Sequence, residues 1–280
     1  IIKKIVDKNT DNIFISNLFY ANALSAIFQK KYSNLKFIFT ERTAFSELSI
    51  YFGFTDFIKK MIIKIILKLF YKRADLVIAN SKKVATDIKN FSNVKTTHVY
   101  PGSFLQKIKR KRKNNNKLNI ISIGRLTEEK GFDVLIESLK DIDKTKYNLT
   151  LIGDGKEKNN LSNQINYLNL QKNVKLLGFK ENVYPYLKNS DLLINPSYFE
   201  GFPNVVIEAL SCGIPVICSK SHGGIYEILK NGNYGDLFDL EIDGSLTKKI
   251  NLFFKNPKKL INKAYASKKH LINFEKKKSA

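Results

Sequence analysis

Four charged side chains could carry the chemistry of this chain: Glu200, Glu208, Arg125 and Lys130. Glu200 precedes a predicted helix and Glu208 lies about one and a half turns inside it, so the two carboxylates could hold hydroxyl groups of one ligand at two points. Arg125 ends a predicted strand, where its planar guanidinium suits a bidentate contact with phosphate oxygens. Lys130 supplies a second positive charge at the same edge of the sheet.

The segment Glu200–Phe202 is predicted to form a loop at the N-terminus of a helix over residues 203–212. Pro203 suits the first helical position, where its missing N–H costs nothing. The unpaired amides of the first helical turn favour an anion, and Gly201 lets the backbone come close to it. The loop also follows the carboxyl end of a predicted strand, which is where ligands bind in open parallel sheets.

Asn204 and Glu208 share one face of this helix, because residues four apart are neighbours on a helix surface. Each glutamate has another interpretation. Glu200 could be a charge that stabilises a helix N-terminus, and Glu208 could be a surface residue of a helix packed on the sheet. That interpretation accounts for either glutamate alone, but less easily for both within this apolar stretch.

Arg125 is the only arginine in residues 113–280 of a chain that strongly prefers lysine. A strand is predicted to end at Arg125 and a helix to begin near Gly131, so Arg125 lies at the ligand end of the sheet. The choice of arginine there indicates a planar contact that lysine cannot make. The alternative is a salt bridge from Arg125 to Glu128 or Glu129.

Residues 118–280 alternate short β-rich runs with amphipathic stretches, which is typical of a parallel sheet covered on both faces by helices. The predicted strands are 118–126, 148–155, 173–179, 191–197, 215–219 and 234–238. The predicted helices are 131–142, 156–169, 181–189, 203–212, 223–231 and 245–256. We therefore expect a doubly wound α/β domain.

Residues 1–106 are predicted to form a second, incomplete Rossmann-like α/β domain. Its predicted strands are 11–16, 36–41, 74–80 and 97–102. Residues 107–117 are basic and rich in asparagine, and we expect them to be a solvated linker between the two domains.

Composition limits the function classes. With 43% hydrophobic and 12% aromatic residues, the 280-residue chain can bury a core and is not disordered. Two cysteines, Cys212 and Cys218, exclude a disulfide scaffold. The net charge of +23 favours an anionic partner, but only five of the 48 basic residues are arginine, which disfavours nucleic acid. The sequence contains no run of 18 uncharged apolar residues, so it predicts no transmembrane helix.

The stretch 56–73 carries a lysine every four residues, at Lys60, Lys64, Lys68 and Lys72, on an otherwise apolar helix. It is either an ordinary helix packed on the sheet with a wet lysine edge, or a helix that meets an anionic bilayer. The second interpretation predicts a cytoplasmic protein that is peripheral at the inner face of the cell membrane.

Together these motifs resemble those of family 4 glycosyltransferases, retaining enzymes whose GT-B fold has two facing Rossmann-like domains. The similar segments are G-R-L-x-x-E-K-G at 124–131, G-D-G at 153–155, E-G-F-P-N-V-V-I-E-A at 200–209, G-x-P-V-I at 213–217 and G-G-x-x-E-I at 223–228. The T-E-R segment at 40–42 resembles a branch of the family that builds cell-surface polysaccharides on lipid-linked acceptors.

The resemblance implies that Arg125 and Lys130 hold the diphosphate of a nucleotide sugar. Because the bond that breaks joins sugar C1 to a phosphate oxygen, these cations would stabilise the departing diphosphate. Neither a metal ion nor a further cofactor is then required.

The resemblance also implies roles for the residues near the E-x7-E pair. Glu200 would meet the hydroxyl groups of the donor sugar, beside the backbone amides of Gly201 and Phe202. Glu208 would take the ribose hydroxyls, with Asn204 on the same helix face.

The implied reaction moves a sugar from a nucleotide-diphosphate sugar, with UDP-sugars favoured, to a lipid-linked or oligosaccharide acceptor in polysaccharide or lipopolysaccharide synthesis. The family begins with a glycine-rich strand, turn and helix that residues before 11 do not supply, so about two or three βα units are expected to be missing. The family's last helix is likewise expected to be cut within 274–280. The alternative is a non-catalytic or truncated GT-B-like protein that binds nucleotide sugars.

Overall fold

The structure is a computed structural model that describes residues 12–29, 35–103, 105–106 and 117–276. The predicted linker 107–117 therefore lies outside the described residues, except for Lys117. Residues 1–11, which include the start of the first predicted strand, also lie outside them.

The chain divides into two compact units. The first holds residues up to Tyr100, together with Glu200–Phe202 and His222–Gly224, and the second holds the rest of the chain. Within the second unit, Ser103 pairs in parallel with Glu275, so the segment after Tyr100 lies beside the end of the described chain.

The first unit contains a parallel sheet with the strand order β1-β2-β3-β4. Its strands are β1 (Asn12–Asn17), β2 (Leu35–Glu41), β3 (Leu76–Ala79) and β4 (Thr96–His98), and they overlap the four strands predicted here. Phe37 and Phe39 of β2 are buried in the core, because alternate residues of a strand point to the same face.

The helices of the first unit pack on this sheet. They are α1 (Phe19–Phe28), α2 (Phe54–Phe70) and α3 (Lys82–Ser92), with 3₁₀ turns at Phe45–Ser49 and Tyr71–Arg73. Helix α3 begins where Ser81 accepts a hydrogen bond from the N–H of Val84, and it ends at Asn93 in the left-handed conformation.

The lysines of α2 do not form one outward basic stripe. Lys60 is buried, and its Nζ donates to the carbonyl oxygen of Ile50 at 2.8 Å. Lys68 donates to the carbonyl oxygen of Phe91 at 2.8 Å. Lys60 is thus directed inward, and Lys68, although exposed, is bonded to a main-chain oxygen of α3. The exposed face of α2 is largely apolar. Its exposed apolar side chains are Phe54, Phe57, Ile58, Met61, Ile62, Ile65 and Leu69.

The second unit contains a six-stranded parallel sheet with the order β10-β9-β8-β5-β6-β7. Its strands are β5 (Leu118–Ile123), β6 (Tyr147–Ile152), β7 (Val174–Leu176), β8 (Leu192–Asn195), β9 (Val216–Ser219) and β10 (Asp236–Phe238). All six predicted strands are present. Strands β8 and β9 are buried along their whole length, which explains their nearly continuous apolar sequence.

Eight helices are described in the second unit. They are α4 (Phe132–Ser138), α5 (Lys158–Tyr167), α6 (Tyr184–Lys188), α7 (Asn204–Ser211), α8 (Ile225–Leu229), α9 (Ser245–Lys255), α10 (Pro257–Ala266) and α11 (Lys268–Leu271). None of the described helices of either unit is both long and apolar enough to cross a membrane.

One detail of α7 differs from the prediction. Pro203 precedes the first helical residue instead of occupying that position, because its ψ of 92° places it in extended backbone. Asn204 is therefore the first residue of the helix.

Candidate functional site

The predicted site residues follow two neighbouring strands of the second sheet. Strands β5 and β8 pair directly, with Ile120 opposite Leu192, and the strand order reverses between them. Ligands bind at such a reversal, outside the carboxyl ends of the strands. Arg125 and Lys130 follow β5, and the E-x7-E segment follows β8.

The loops after β5 and β8 also contact each other within the second unit. The backbone N–H of Tyr198 donates to the carbonyl oxygen of Glu129 at 2.9 Å. Gly131, with a φ of +62°, lies so close to the carbonyl oxygen of Pro196 that a Cβ would collide with it. Both loops are therefore held at the same edge of the sheet.

Arg125 is exposed, and its guanidinium lies 3.4 Å from the carboxylate of Glu129. That carboxylate also accepts a hydrogen bond from the hydroxyl of Thr127 at 2.6 Å. The ion pair expected as an alternative is thus present. An exposed ion pair at this distance contributes little stability and leaves the guanidinium able to contact a ligand.

Lys130 closes the 3₁₀ turn Glu128–Lys130, immediately before α4. A Cβ on Gly124, the residue after β5, would be in contact with the methylene groups of the Lys130 side chain. The lysine stem therefore lies near the strand end that carries Arg125.

The loop Glu200–Phe202 pairs with the loop His222–Gly224. The N–H of Glu200 donates to the carbonyl oxygen of His222 at 3.2 Å, and the N–H of Gly224 donates to the carbonyl oxygen of Gly201 at 2.8 Å. Gly223 has a φ of +114°, and a Cβ there would collide with the carbonyl oxygen of Glu200. The glycine pair noticed in the sequence is therefore what lets the two loops meet.

Gly201 and Phe202 are both buried. A Cβ on Gly201 would collide with the carbonyl oxygen of Arg42, so the close approach expected at this glycine is made by protein backbone. The ring of Phe202 packs against Tyr100 with 5.2 Å between ring centroids.

Asn204 and Glu208 lie on α7, one turn apart, as predicted. Asn204 is exposed, and its Oδ1 lies 3.4 Å from the hydroxyl of Ser103. Glu208 is half-buried, and burial raises the pKa of its carboxyl group. Burial, followed by the charge of Glu208, raises the pKa of Tyr184 to about 12. Glu208 is thus more than a solvated surface residue.

Sequence reasoning assigned no role to the polar residues around Glu41. Asn22 and Tyr71 both donate hydrogen bonds to its carboxylate. The T-E-R segment was the only signal in the sequence, because the partners come from distant parts of the chain. Among the residues that the structure describes, no three His, Cys, Asp or Glu side chains are grouped as a metal site would need.

Each of the two α/β units contains a parallel sheet, and the second sheet has the Rossmann strand order. These features define the GT-B class of glycosyltransferase folds. The chain belongs to the family of glycosyl transferases group 1, whose model matches residues 104–270.

Two curated relatives and one solved structure illustrate the similarity. An uncharacterised glycosyltransferase of Methanocaldococcus jannaschii is 41% identical over 60% of this chain and 45% of its own. N-acetylgalactosamine-N,N'-diacetylbacillosaminyl-diphospho-undecaprenol 4-alpha-N-acetylgalactosaminyltransferase of Campylobacter jejuni is 30% identical over 93% of this chain and 70% of its own. The crystal structure of Anabaena HepE in complex with UDP has a TM-score of 0.73 and 23% identity, over 94% of this chain and 75% of that one. This chain thus spans less than half of the first relative.

Proposed function

We propose that the protein is a retaining, metal-independent hexosyltransferase that uses a UDP-sugar and extends a lipid-linked or oligosaccharide acceptor in cell-surface polysaccharide synthesis. The observation that carries the proposal is the arrangement at the strand reversal, where cations follow β5 and a pair of carboxylates follows β8. A nucleotide sugar carries phosphate groups, which cations bind, and hydroxyl groups, which donate hydrogen bonds to carboxylates.

Arg125 and Lys130 would bind the diphosphate. Breaking the bond between sugar C1 and the phosphate oxygen leaves negative charge on the diphosphate, and two cations at the strand end stabilise that charge as it develops. Arg125 would exchange its exposed contact with Glu129 for phosphate oxygens.

Glu200 would hold hydroxyl groups of the donor sugar, beside the amides of Gly201 and Phe202. Glu208 would accept hydrogen bonds from the ribose hydroxyls, with Asn204 beside it. A half-buried carboxylate suits this role, because its hydrogen bonds to a ligand compete less with water.

The choice of donor and acceptor draws on the similar proteins. The Anabaena structure contains UDP, and we extend that nucleotide to this chain. The name of the Campylobacter relative gives a diphospho-undecaprenol acceptor and an alpha linkage. These two features support a lipid-linked acceptor and a retaining course for this protein.

A lipid-linked acceptor would bring the protein to the inner face of the cell membrane, and α2 is the surface suited to meet it. Seven large apolar side chains of α2 are exposed, and Lys59, Lys72 and Arg73 are exposed beside them. An apolar face flanked by cations matches the boundary between acyl chains and anionic headgroups.

A thermal-shift panel tests the donor. We expect UDP and its sugars to raise the melting temperature without added metal, and ADP and GDP to do so less. Arg125→Ala should weaken UDP binding about tenfold and should also lower transfer. Glu200→Ala should abolish transfer while free UDP still binds. Unchanged UDP affinity in Arg125→Ala would contradict the phosphate assignment.

Vesicle flotation tests the membrane surface. We expect the protein to float with vesicles containing phosphatidylglycerol and to bind pure phosphatidylcholine less. The double variant Ile62→Ser with Ile65→Ser should lose this binding. The matched control is Leu252→Ser, since Leu252 is 48% exposed on α9 and Ile62 is 48% exposed on α2. Equal flotation of the double variant and the wild type would contradict a membrane role for α2.

The alternative is a non-catalytic GT-B-like protein that binds nucleotide sugars. It predicts a UDP-dependent thermal shift that Arg125→Ala reduces, without transfer to any acceptor. The same panel followed by a transfer assay separates the two functions.

A further inference from the structure

The carboxyl group of Glu41 lies in a closed polar cluster at the ligand edge of the first unit. Glu41 is the last residue of β2 and is 1% exposed. Its Oε1 accepts hydrogen bonds from Asn22 Nδ2 at 2.7 Å and from the hydroxyl of Tyr71. Asn22 Nδ2 also donates to the carbonyl oxygen of Thr40 at 2.9 Å, which ties α1 to the end of β2.

The acceptors of this cluster outnumber its donors. Among the described residues, the second carboxyl oxygen of Glu41 accepts no hydrogen bond, and neither does the side-chain oxygen of Asn22 or of Asn80. A buried carboxylate with one unsatisfied oxygen is costly, and among the described residues no ion pair to Glu41 is found, whereas a neutral carboxyl group carries a donor of its own. The excess of acceptors therefore favours the protonated form of Glu41.

The titratable groups that face Glu41 favour the same form. Burial is the largest cause and raises the pKa of Glu41 to about 8, the charge of Glu47 raises it further, and the hydrogen bonds from Tyr71 and Asn22 oppose the rise. Burial, with the neighbouring Glu41, holds the pKa of Tyr71 well above its usual range. The ionisation of Glu41 thus falls near the pH at which enzymes are assayed.

The cluster is linked to the Glu200 loop through the backbone that follows Glu41. The N–H of Asn80 donates to the carbonyl oxygen of Glu41 at 3.0 Å, and Asn80 Nδ2 donates to the carbonyl oxygen of Arg42 at 2.5 Å. The same Arg42 oxygen lies against Gly201, where no Cβ would fit. A shift of the segment from Glu41 to Arg42 would therefore move the loop that carries Glu200.

We propose that Glu41 is a positioning residue, which sets the Thr40–Arg42 segment, and through it the Glu200 loop, for the transfer reaction proposed above. Glu41 does not reach the reacting atoms, because its side chain is closed off by Asn22 and Tyr71. Ionisation would place an uncompensated charge beside Tyr71, and the segment would have to move to relieve it.

Hydrogen exchange of the loop amides, compared between Glu41→Gln and the wild type, tests the coupling without requiring activity. Protection is first corrected for the intrinsic pH dependence of amide exchange. In the wild type, the corrected protection of peptides covering 200–202 and 222–224 should fall as the pH rises from 7 to 9. Glu41→Gln keeps a neutral side chain, so its protection should stay constant over this range. Equal loss of protection in both proteins would overturn the inference.

Transfer kinetics provide the second readout. With an active donor and acceptor, kcat of the wild type should fall about tenfold per pH unit above pH 8, the behaviour of one essential protonated group. The KM for the donor should change little, and Glu41→Gln should lack the fall. Tyr71→Phe removes a hydrogen bond that lowers the pKa of Glu41, so it should move the fall to higher pH. If hydrogen exchange depends on pH as expected but no sugar transfer is detected, the proposed function is contradicted and the positioning role of Glu41 is not.

Discussion

The N–H of Gly224 donates to the carbonyl oxygen of Gly201 at 2.8 Å, which joins the loop before α8 to the loop before α7. Each loop follows a neighbouring strand, β9 and β8, so the bond ties together two ligand-end loops of a parallel sheet. The position of Glu200 is therefore set by a second loop as well as by its own.

We predict that Gly223→Ala lowers transfer by 10-fold or more, on the order of the cost of a small misplacement of a catalytic group. Its Cβ would displace the carbonyl oxygen of Glu200, in addition to the strain of a φ of +114°. Gly244→Ala is the matched control, since Gly244 also has a positive φ but no atom lies within 4 Å of a Cβ there. Steady-state kinetics on both variants check this, and equal losses would show that backbone strain alone is responsible.

Glu129→Gln should leave the free energy of unfolding within about 0.5 kcal/mol of the wild type, because an exposed ion pair contributes little. UDP affinity should be unchanged or rise about threefold, since Arg125 would no longer be shared with Glu129. Calorimetric titration measures the affinity. Glu137→Gln, which breaks the exposed pair with Lys140, is the control. A marked loss of UDP affinity in Glu129→Gln alone would indicate that Glu129 orients Arg125.

UDP affinity should weaken on acidification, at a pH above the ordinary pKa of a glutamate. Burial raises the pKa of Glu208, and protonation removes the carboxylate that would accept the ribose hydroxyls. Affinity is therefore full above this pKa and lost as the pH falls through it. Glu208→Gln should bind UDP more weakly at pH 8 and show a flatter pH profile. The same steep profile in this variant would assign the titration to another group.

Shortening a side chain should affect the free energy of unfolding differently on the two sides of α2. Leu67 is fully buried, so Leu67→Ala should cost about 2–5 kcal/mol of unfolding free energy. Ile65 is 51% exposed, so Ile65→Ala should change it by less than about 0.5 kcal/mol. Urea denaturation measures both values. A large loss at Ile65 would mean that a partner segment covers the outward face.

Glu41 should make the folded state less stable as the pH rises. Its pKa is about 8 in the folded protein and near 4.5 in the unfolded chain, so between these values the folded state holds a proton that the unfolded chain has released. This contribution is full below about pH 4.5 and is lost as the pH approaches 8. The difference in unfolding free energy between wild type and Glu41→Gln should therefore shift steadily against the wild type over this range.

The strands of both units could be predicted because each is a short apolar run with its own boundaries. The doubly wound parallel sheet of the second unit was indicated by the alternation of its strands with helices, and the candidate site residues were chosen because they follow predicted strand ends. Local sequence carries these signals, since burial on both faces of a parallel sheet requires nearly continuous apolar residues.

Contacts between distant segments could not be predicted. The partners of Glu41 are 19 and 30 residues away, and nothing in the local pattern links them. The lysines of α2 were misjudged for a related reason. Their spacing places them on one side of the helix, but only the packed structure shows that Lys60 is buried and that Lys60 and Lys68 donate to the carbonyl oxygens of Ile50 and Phe91.

The apolar face of α2 also affects how the purified protein behaves in water. In a solution of this chain alone, two copies would shield these faces by contacting each other, and the surrounding positive charges oppose that contact. Self-association should therefore increase with protein concentration and with added salt, which screens the charges. A mild detergent should restore monomers, so preparations handled without one would lose material on storage before any of the protein unfolds.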